Sequence, residues 1–584
     1  MTPHLFRRAL LCAPMLSLCL LLSALSGQAA SPNEAIRQQQ ILQQREEQRR
    51  QELERRHRES LETPPVEQPV APPARPEEEA GARCFDVVRI RLEGATLLSE
   101  REQRSLTARY VGRCLTLADI NDLVRDITNA YVEKGYITTR AAVPRQDLSG
   151  GELTILVIEG KVEGMEFSDD VPFAGQKLRL AFPGVVGNVL NIRDLEQGLD
   201  QLNRLPSNDA TMELVPGSTA GMSRVRIANT PGKTWRASAG LDNSGQKSTG
   251  ELQYLLGFEK DNLLHSNDLL SLNMNADYDS MAAGEHQDSQ SLSAFYSFAV
   301  GYWTVTGSLS RFSYRSILDG SSMDFSSAGD TTTSALTVDR VIHRDADSKT
   351  SLGAGVLVRD TSNYLAGVQL KASSQVLSAF SASATHTHRA MGGVATLSAE
   401  FRRGVPMFGA HSDPDDAPLT APKAEFEKYT ATASFYRPFQ LLDQQFSWST
   451  RVWGQWSPDT LYSAERASIG SRYTVRGFHE DSLDGDSGGY TRNELAITLP
   501  LDPKDPQLAA RFTNAQFYVG YDAGFIRRDS REEYERGTVQ GAVAGARLLG
   551  GDVHAELAVS KPLDAPGYVE RNDLDVYASL VITF

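Results

Sequence analysis

The sequence has few cysteines, no excess of positive charge and few long apolar runs. Its 584 residues include 4 cysteines, and 59 Lys and Arg stand against 74 Asp and Glu, a net charge of −15. Nucleic-acid-binding proteins carry a basic surface, so the acidic balance argues against that class. Only 40% of residues are hydrophobic, too few for a bundle of membrane helices. A membrane β-barrel remains compatible, because only one face of its strands is apolar.

One long apolar run lies at the N-terminus. Arg7 and Arg8 precede it, it extends over residues 9–25, and small residues follow as far as Ala30. This order predicts a signal peptide over residues 1–29, with a single membrane anchor as the alternative. Beyond it no apolar stretch of the length of a membrane helix remains, so we expect no transmembrane helix.

The cysteines indicate an oxidising compartment. Cys12 and Cys19 leave with the signal peptide, which leaves Cys84 and Cys114 in the exported chain. An even pair in an exported protein predicts a disulfide between them, with two separate buried thiols as the alternative.

The segment after the signal peptide is polar. Residues 33–60 are rich in Gln, Glu and Arg and lack Gly and Pro, which predicts a helix within the segment 30–60. A helix that is polar on all sides lies in water or in a wet cavity. Residues 61–82 contain six prolines among acidic residues, which is typical of an extended linker.

Residues 83–232 have the pattern of a globular α+β protein. Three sets of side chains are typical of helix N-termini: Ser99 with Glu102, Thr116 with Asp119, and Asn191 with Asp194. Strand-like runs flank these helices, and the order strand, helix, helix, strand, strand occurs twice. We therefore predict two small α+β domains, 83–160 and 161–232.

From residue 233 to residue 584 the hydrophobic period changes to two. Leu270, Leu272 and Met274, for example, alternate with Ser271 and Asn273. Strands of about ten residues with one apolar and one polar face span an outer membrane when they are tilted. About 350 residues, at about 22 for each strand and its connection, give about 16 antiparallel strands. The sequence thus predicts a membrane β-barrel over residues 233–584.

The most specific motif lies between two of these strands. It contains Val475-Arg476-Gly477-Phe478, then a Gly-rich turn over residues 485–490, then Arg492-Asn493-Glu494-Leu495. With the architecture before it, this segment resembles the two-partner secretion transporters, also called the TpsB or haemolysin secretion/activation family. The resemblance covers nearly the whole exported chain. It implies that 83–160 and 161–232 are polypeptide-transport-associated (POTRA) domains in the periplasm, that the helix in 30–60 plugs the barrel, and that the barrel lies in the bacterial outer membrane.

The resemblance also implies a role for the motif. In the family this loop folds back into the lumen, and its Arg pairs with an Asp of a Phe-x-Asp type motif on the barrel wall. The matching Asp here is Asp522, with Gly520 where the aromatic residue is expected. The alternation of apolar residues places Asp522 and also Glu494 on the lumen side, so both are candidate partners of Arg476. The alternative is an ordinary surface turn with a solvated Arg.

The function that the resemblance implies is export of one large secreted partner, of the adhesin, haemolysin or contact-dependent toxin type. The POTRA domains would bind this partner, and the barrel would contact outer-membrane lipid. The aromatic C-terminal residue, Phe584, is what outer-membrane barrels commonly present to the barrel assembly machinery. An insertase for other outer-membrane proteins and a passive porin are the alternatives. The sequence has no hydrolase, metalloprotease or P-loop motif, and we expect no enzymatic activity, metal, cofactor or nucleic-acid partner.

Overall fold

The computed structural model describes Gln44 and most of the chain from residue 84 onward. The described ranges are 84–246, 250–277, 288–318, 325–371, 373–416, 418–479, 481–501, 511–527 and 536–584. The predicted signal peptide 1–29, the predicted linker 61–82 and, apart from Gln44, the predicted plug helix lie outside the described residues.

The first small domain is a three-stranded sheet covered by two helices. Its elements are β1 (Cys84–Val87), β2 (Arg89–Glu93), α1 (Glu100–Thr107), β3 (Arg113–Thr116), α2 (Leu117–Glu133), β4 (Arg140–Ala142) and β5 (Glu152–Ile158). β5 is central, parallel to β2 and antiparallel to β4. Both predicted capping boxes are confirmed, at the starts of α1 and α2. Leu123 and Ile127 of α2 pack with Leu153 and Ile155 of β5 in the apolar core. The separate pair β1–β3 was not predicted, because strands of four residues give too short a pattern.

The second domain repeats this arrangement. Its elements are β6 (Lys161–Phe167), α3 (Ala174–Ala181), α4 (Ile192–Asn203), β7 (Ala210–Pro216) and β8 (Met222–Asn229). β8 is central, parallel to β6 and antiparallel to β7. Asn191 caps α4 as predicted, since its side chain accepts a hydrogen bond from the amide of Arg193. Leu195 and Leu202 of α4 pack against the core of the sheet.

The rest of the chain forms a closed antiparallel barrel, which confirms the predicted fold class. Its strands are β9 (Trp235–Asp242), β10 (Gln253–Asp261), β11 (Leu269–Asp277), β12 (Asp288–Val300), β13 (Trp303–Leu318), β14 (Phe325–Arg344), β15 (Ser348–Leu365), β16 (Val368–Gln369), β17 (Gln375–Ala390), β18 (Gly393–Gly404), β19 (Glu427–Leu441), β20 (Gln444–Trp456), β23 (Gly488–Pro500), β24 (Asn514–Ile526), β25 (Gly537–Leu549), β26 (Val553–Asp564) and β27 (Asp575–Thr583). The two-residue β16 only extends a hairpin, and β15 pairs directly with β17, so sixteen strands form the wall. β27 pairs with β9 and closes the barrel. Closure pairs the backbone groups that lipid cannot satisfy.

The two faces of the barrel differ as the alternation predicts. On β24, Phe517, Val519 and Tyr521 are about half exposed on the outer face, whereas Tyr518 and Asp522 are buried on the lumen side. Several strands are longer than the expected ten residues, and β14 has twenty. Among the described residues no helix is long and apolar enough to cross a membrane.

The second small domain is attached to the turns at one end of the barrel. The side-chain amides of Gln197 and Gln201 on α4 donate hydrogen bonds of 3.2 and 2.9 Å to the carbonyl of Gly301, in the turn between β12 and β13. Arg344, at the end of β14, forms ion pairs with Asp200 and Glu196 of the same helix. These buried polar contacts fix the second domain beneath one side of the barrel mouth.

Candidate functional site in the barrel lumen

Residues 457–487, which connect β20 to β23, form the sixth extracellular connection and are called the lumen loop below. The loop contains two short strands, β21 (Ala467–Ile469) and β22 (Leu483–Gly485), which pair as an antiparallel hairpin. Val475 and Phe478 are almost fully buried, and they pack in a small apolar cluster with side chains of β24 and β25. The loop therefore lies against the inner wall of the barrel.

Arg476 is the central residue of the contact between loop and wall. Its Nε donates a hydrogen bond of 2.6 Å to Oδ2 of Asp522, and its Nη2 donates one of 2.9 Å to Oδ1. The backbone amide of Arg476 also donates to Oδ2, at 3.2 Å. Its remaining Nη1 donates to Oε2 of Glu494 at 3.0 Å. The structure thus places both predicted acidic partners on one guanidinium, and the pair with Asp522 is bidentate, the strongest geometry for this interaction.

A larger charge network continues from this pair along the lumen wall. Arg547 of β25 forms an ion pair with Glu494 and another of 3.0 Å with Oε1 of Glu556 on β26. Glu556 also accepts a hydrogen bond of 2.7 Å from the hydroxyl of Tyr518 and pairs with Arg472 of the lumen loop. The guanidinium of Arg547 stacks on the ring of Tyr518, 3.7 Å from its centroid. Two arginines of the loop therefore enter one continuous set of charges.

Glycines of the wall make room for the loop. A Cβ atom at Gly520 would lie 2.5 Å from Nη2 of Arg476, and one at Gly541 would overlap the carbonyl oxygen of Arg476. The departure from the Phe-x-Asp motif at Gly520 thus has a physical reason, since the guanidinium occupies the space of a side chain there. Gly477 has a φ of 104°, a left-handed conformation that glycine adopts without strain.

Sequence reasoning found part of this site and missed the rest. It identified the four residues of the loop motif with Asp522 and Glu494, but not Arg472, Arg547 or Glu556. Charged residues on the lumen face of two late strands were a signal for the last two. Which loop residue each of them meets depends on the path of the loop, which no pattern in the sequence gives.

The predicted cysteine pair lies outside the barrel. Cys84 and Cys114 form a disulfide that joins β1 to β3, with their Cα atoms 5.3 Å apart. It lies in the first domain, at the edge that follows the predicted linker.

A closed sixteen-stranded barrel with two small α+β domains before it and a loop folded into its lumen is typical of the outer-membrane barrels that act on other polypeptides. Residues 221–548 match the family described as haemolysin secretion/activation protein ShlB/FhaC/HecB. The chain belongs to this family of two-partner secretion transporters. Residues 85–160 match the ShlB-type POTRA domain and residues 161–216 match a POTRA domain, and POTRA domains are periplasmic in this family.

Curated relatives and a solved structure agree with this assignment. The outer membrane transporter CdiB of Escherichia coli is 36% identical over 516 residues, which are 87% of this chain and 84% of the relative. The hemolysin transporter protein ShlB of Serratia marcescens is 33% identical over 432 residues, 74% of this chain and 75% of the relative. The solved structure of CdiB from Escherichia coli has a TM-score of 0.84 at 35% identity, and the match covers 96% of this chain and 100% of that chain.

Proposed function

We propose that this transporter exports one large partner of the adhesin, haemolysin or contact-dependent toxin type, in unfolded form, through the barrel lumen. The observation that carries the proposal is the lumen loop, which ion pairs attach to the inner wall. Side-chain contacts of this kind can separate while the strand pairing of the wall stays intact. Folding of the partner outside the cell gives transit its direction, so the proposal needs no catalytic step, metal or cofactor.

In this proposal the loop motif acts as a lock. Arg476 holds the tip of the lumen loop through Asp522 and Glu494. Val475 and Phe478 fill the apolar cluster beside that pair, and Gly477 provides the turn between them. Moving the loop exposes these apolar side chains and separates buried charges, so we expect the locked position to dominate until the partner arrives.

The second POTRA domain offers an edge for the partner. β7 pairs with β8 along one of its two edges. Along its other edge, within the described residues, Ala210 is the only residue of β7 whose backbone forms a hydrogen bond. An unpaired edge accepts an extended segment as an additional strand. β7 has seven residues, whereas the edge strand β4 of the first domain has only three, so β7 is the better candidate for binding the partner's secretion signal.

The predicted plug segment has one described residue, and that residue contacts the lumen loop. The side-chain amide of Gln44 donates a hydrogen bond of 3.1 Å to the carbonyl of Ser468 and accepts one of 2.8 Å from the hydroxyl of Ser471. These contacts support the proposal that the helix in 30–60 occupies the resting lumen. Gln44 thus contacts the same loop that the arginine pair holds.

The test is deletion of the gene, followed by comparison of the culture medium with the outer-membrane proteins. We expect the loss of one large secreted protein, which the wild-type gene restores, and an unchanged set of barrels. Loss of many barrels from the outer membrane would instead indicate an insertase. For biogenesis, we propose that the assembly machinery recognises the last strand, β27, and the C-terminal Phe584.

A further inference from the structure

A second group of charges lies at the base of the lumen loop, away from the motif. Glu465 ends a single 3₁₀ turn, Ser463–Glu465, and only 2% of it is exposed. Its Oε1 accepts a hydrogen bond of 2.7 Å from Arg359, and its Oε2 accepts one of 3.2 Å from Arg402. The ammonium group of Lys428 pairs with the same Oε2. One loop carboxylate therefore binds three cations of the wall.

The backbone at this point is held by the same wall side chains. Arg359 donates a hydrogen bond of 2.9 Å to the carbonyl of Ala464. Lys428 and Gln455 donate to the carbonyl of Glu465, at 3.2 and 3.0 Å. Contacts to both the side chain and the main chain fix the position of the chain here, which a single surface ion pair does not do.

This group and the Arg476 pair lie on different parts of the wall and have opposite polarity. Arg359, Arg402 and Lys428 belong to β15, β18 and β19, whereas Asp522 belongs to β24. In the order β15-β17-β18-β19-β20-β23-β24, the first and last strands are six places apart in a wall of sixteen. In the first group the loop supplies the anion, the carboxylate of Glu465. In the second it supplies the cation, the guanidinium of Arg476. The hairpin β21–β22 starts two residues after Glu465 and links the two places.

We propose that Glu465 is a second positioning residue of the lumen loop, which anchors the loop's base to β15, β18 and β19 and acts together with Arg476. The proposal rests on the proposed function of the loop as a lock. Without Glu465 the wall retains three cations, and among the described residues only Arg402 of these three forms an ion pair with another acid, Glu400. Buried charges that lose their partner are costly, so the locked position would lose stability relative to a released loop.

Proteolysis of intact cells tests the proposal on the full-length protein. Trypsin cleaves after Arg466 and Arg472, whose side chains are largely buried in the lumen loop. We expect Glu465→Gln to increase cleavage at these two sites about tenfold or more, because one partner of a buried charge group is removed. Glu465→Asp keeps the charge and should stay near the wild-type rate. The matched control is Glu400→Gln, which removes an acid from the same Arg402 but lies on the wall strand β18.

Parallel variants separate the possible failures. Arg476→Ala tests the lock itself, and heat-modifiable migration in gels shows whether each barrel is folded. If Arg476→Ala exposes the loop but folded Glu465→Gln does not, the second anchor is refuted and the lock stands. If Glu400→Gln exposes the loop as much as Glu465→Gln does, the second anchor is also refuted. If neither Arg476→Ala nor Glu465→Gln has an effect, both proposals fail. Should Glu465→Gln not fold, Lys428→Met removes a wall partner instead, and protection equal to wild type would refute the anchor.

Discussion

The first POTRA domain and the lumen loop are held in place by different interactions. The domain has an apolar core around Leu123 and Leu153 and a disulfide that joins two of its strands. The loop has a small apolar cluster, and ion pairs such as Arg476 with Asp522 also hold it to the wall. Apolar packing sums over many weak contacts, whereas a buried ion pair fails when either partner is removed. The POTRA domain is therefore suited to staying folded, and the lumen loop is suited to being released as a unit.

The largest effect should come from the ion pair in the lumen. We expect Arg476→Ala to abolish export of the partner, because it leaves the buried Asp522 without its cation. The barrel should remain in the membrane, since in the described part of the chain no barrel strand pairs with the loop. The measurement is the amount of partner in the medium, beside the amount of folded transporter in the outer membrane.

Arg311→Ala is a matched control for this variant. Arg311 also pairs with an aspartate, since its Nε and Nη2 both donate to Oδ2 of Asp330, but its side chain is 68% exposed on the outer face. An exposed pair contributes little, so export should be unchanged. Export at the wild-type level in Arg476→Ala would refute the role of the arginine.

The next effect concerns the segment that contacts the loop. We expect deletion of residues 33–60 to raise the single-channel conductance in planar bilayers without stopping export, since a helix in the lumen obstructs ions. Deletion of residues 61–82, the predicted linker, shortens the connection but leaves the helix, so it serves as the control. A conductance that stays the same after deletion of 33–60 would remove the plug from the proposal.

A smaller effect is expected in the first POTRA domain. Replacing Cys84 and Cys114 by Ser should lower the free energy of unfolding of this domain by about 3–4 kcal/mol in the chain-entropy model. Thermal unfolding of the purified transporter measures this change, and wild-type protein in reductant should give the same result. The trypsin protection of the lumen loop should not change. A loop that becomes accessible in this variant would mean that the two regions are coupled.

The comparison also separates what the sequence could predict from what it could not. Alternation along β24 was enough to place Asp522 in the lumen, and the motif was enough to single out Arg476. The contacts of Arg547 and Glu465 could not be predicted, since they depend on the register of distant strands and on how the loop crosses the lumen. Local patterns give the face on which a residue lies, while the closed barrel decides which residues of different strands meet.

The smallest effect is a pH dependence at the end of the first POTRA domain. Burial of the Glu159 carboxyl raises its pKa, but hydrogen bonds from Thr96, Tyr131 and the amide of Leu97 together lower it below the ordinary 4.5. The hydroxyl of Tyr131 donates at 2.7 Å and the amide of Leu97 at 3.0 Å. A carboxyl with a lowered pKa in the folded state stabilises the domain above its unfolded pKa. This stabilisation should be lost as the pH falls below about 4.5 and then through the lower pKa that Glu159 has in the folded domain.

Glu159→Gln tests this dependence, because it removes the charged form at every pH. Thermal unfolding of the variant should show a weaker loss of stability below pH 4.5 than the wild type shows. Glu152→Gln, at the start of β5, the strand that ends just before Glu159, is the control, since its pair with Arg91 is exposed and long at 3.6 Å. Identical pH profiles for Glu159→Gln and wild type would show that these hydrogen bonds do not stabilise the domain. The lumen loop should be indifferent to this variant, because no part of Glu159's hydrogen-bond set reaches the barrel.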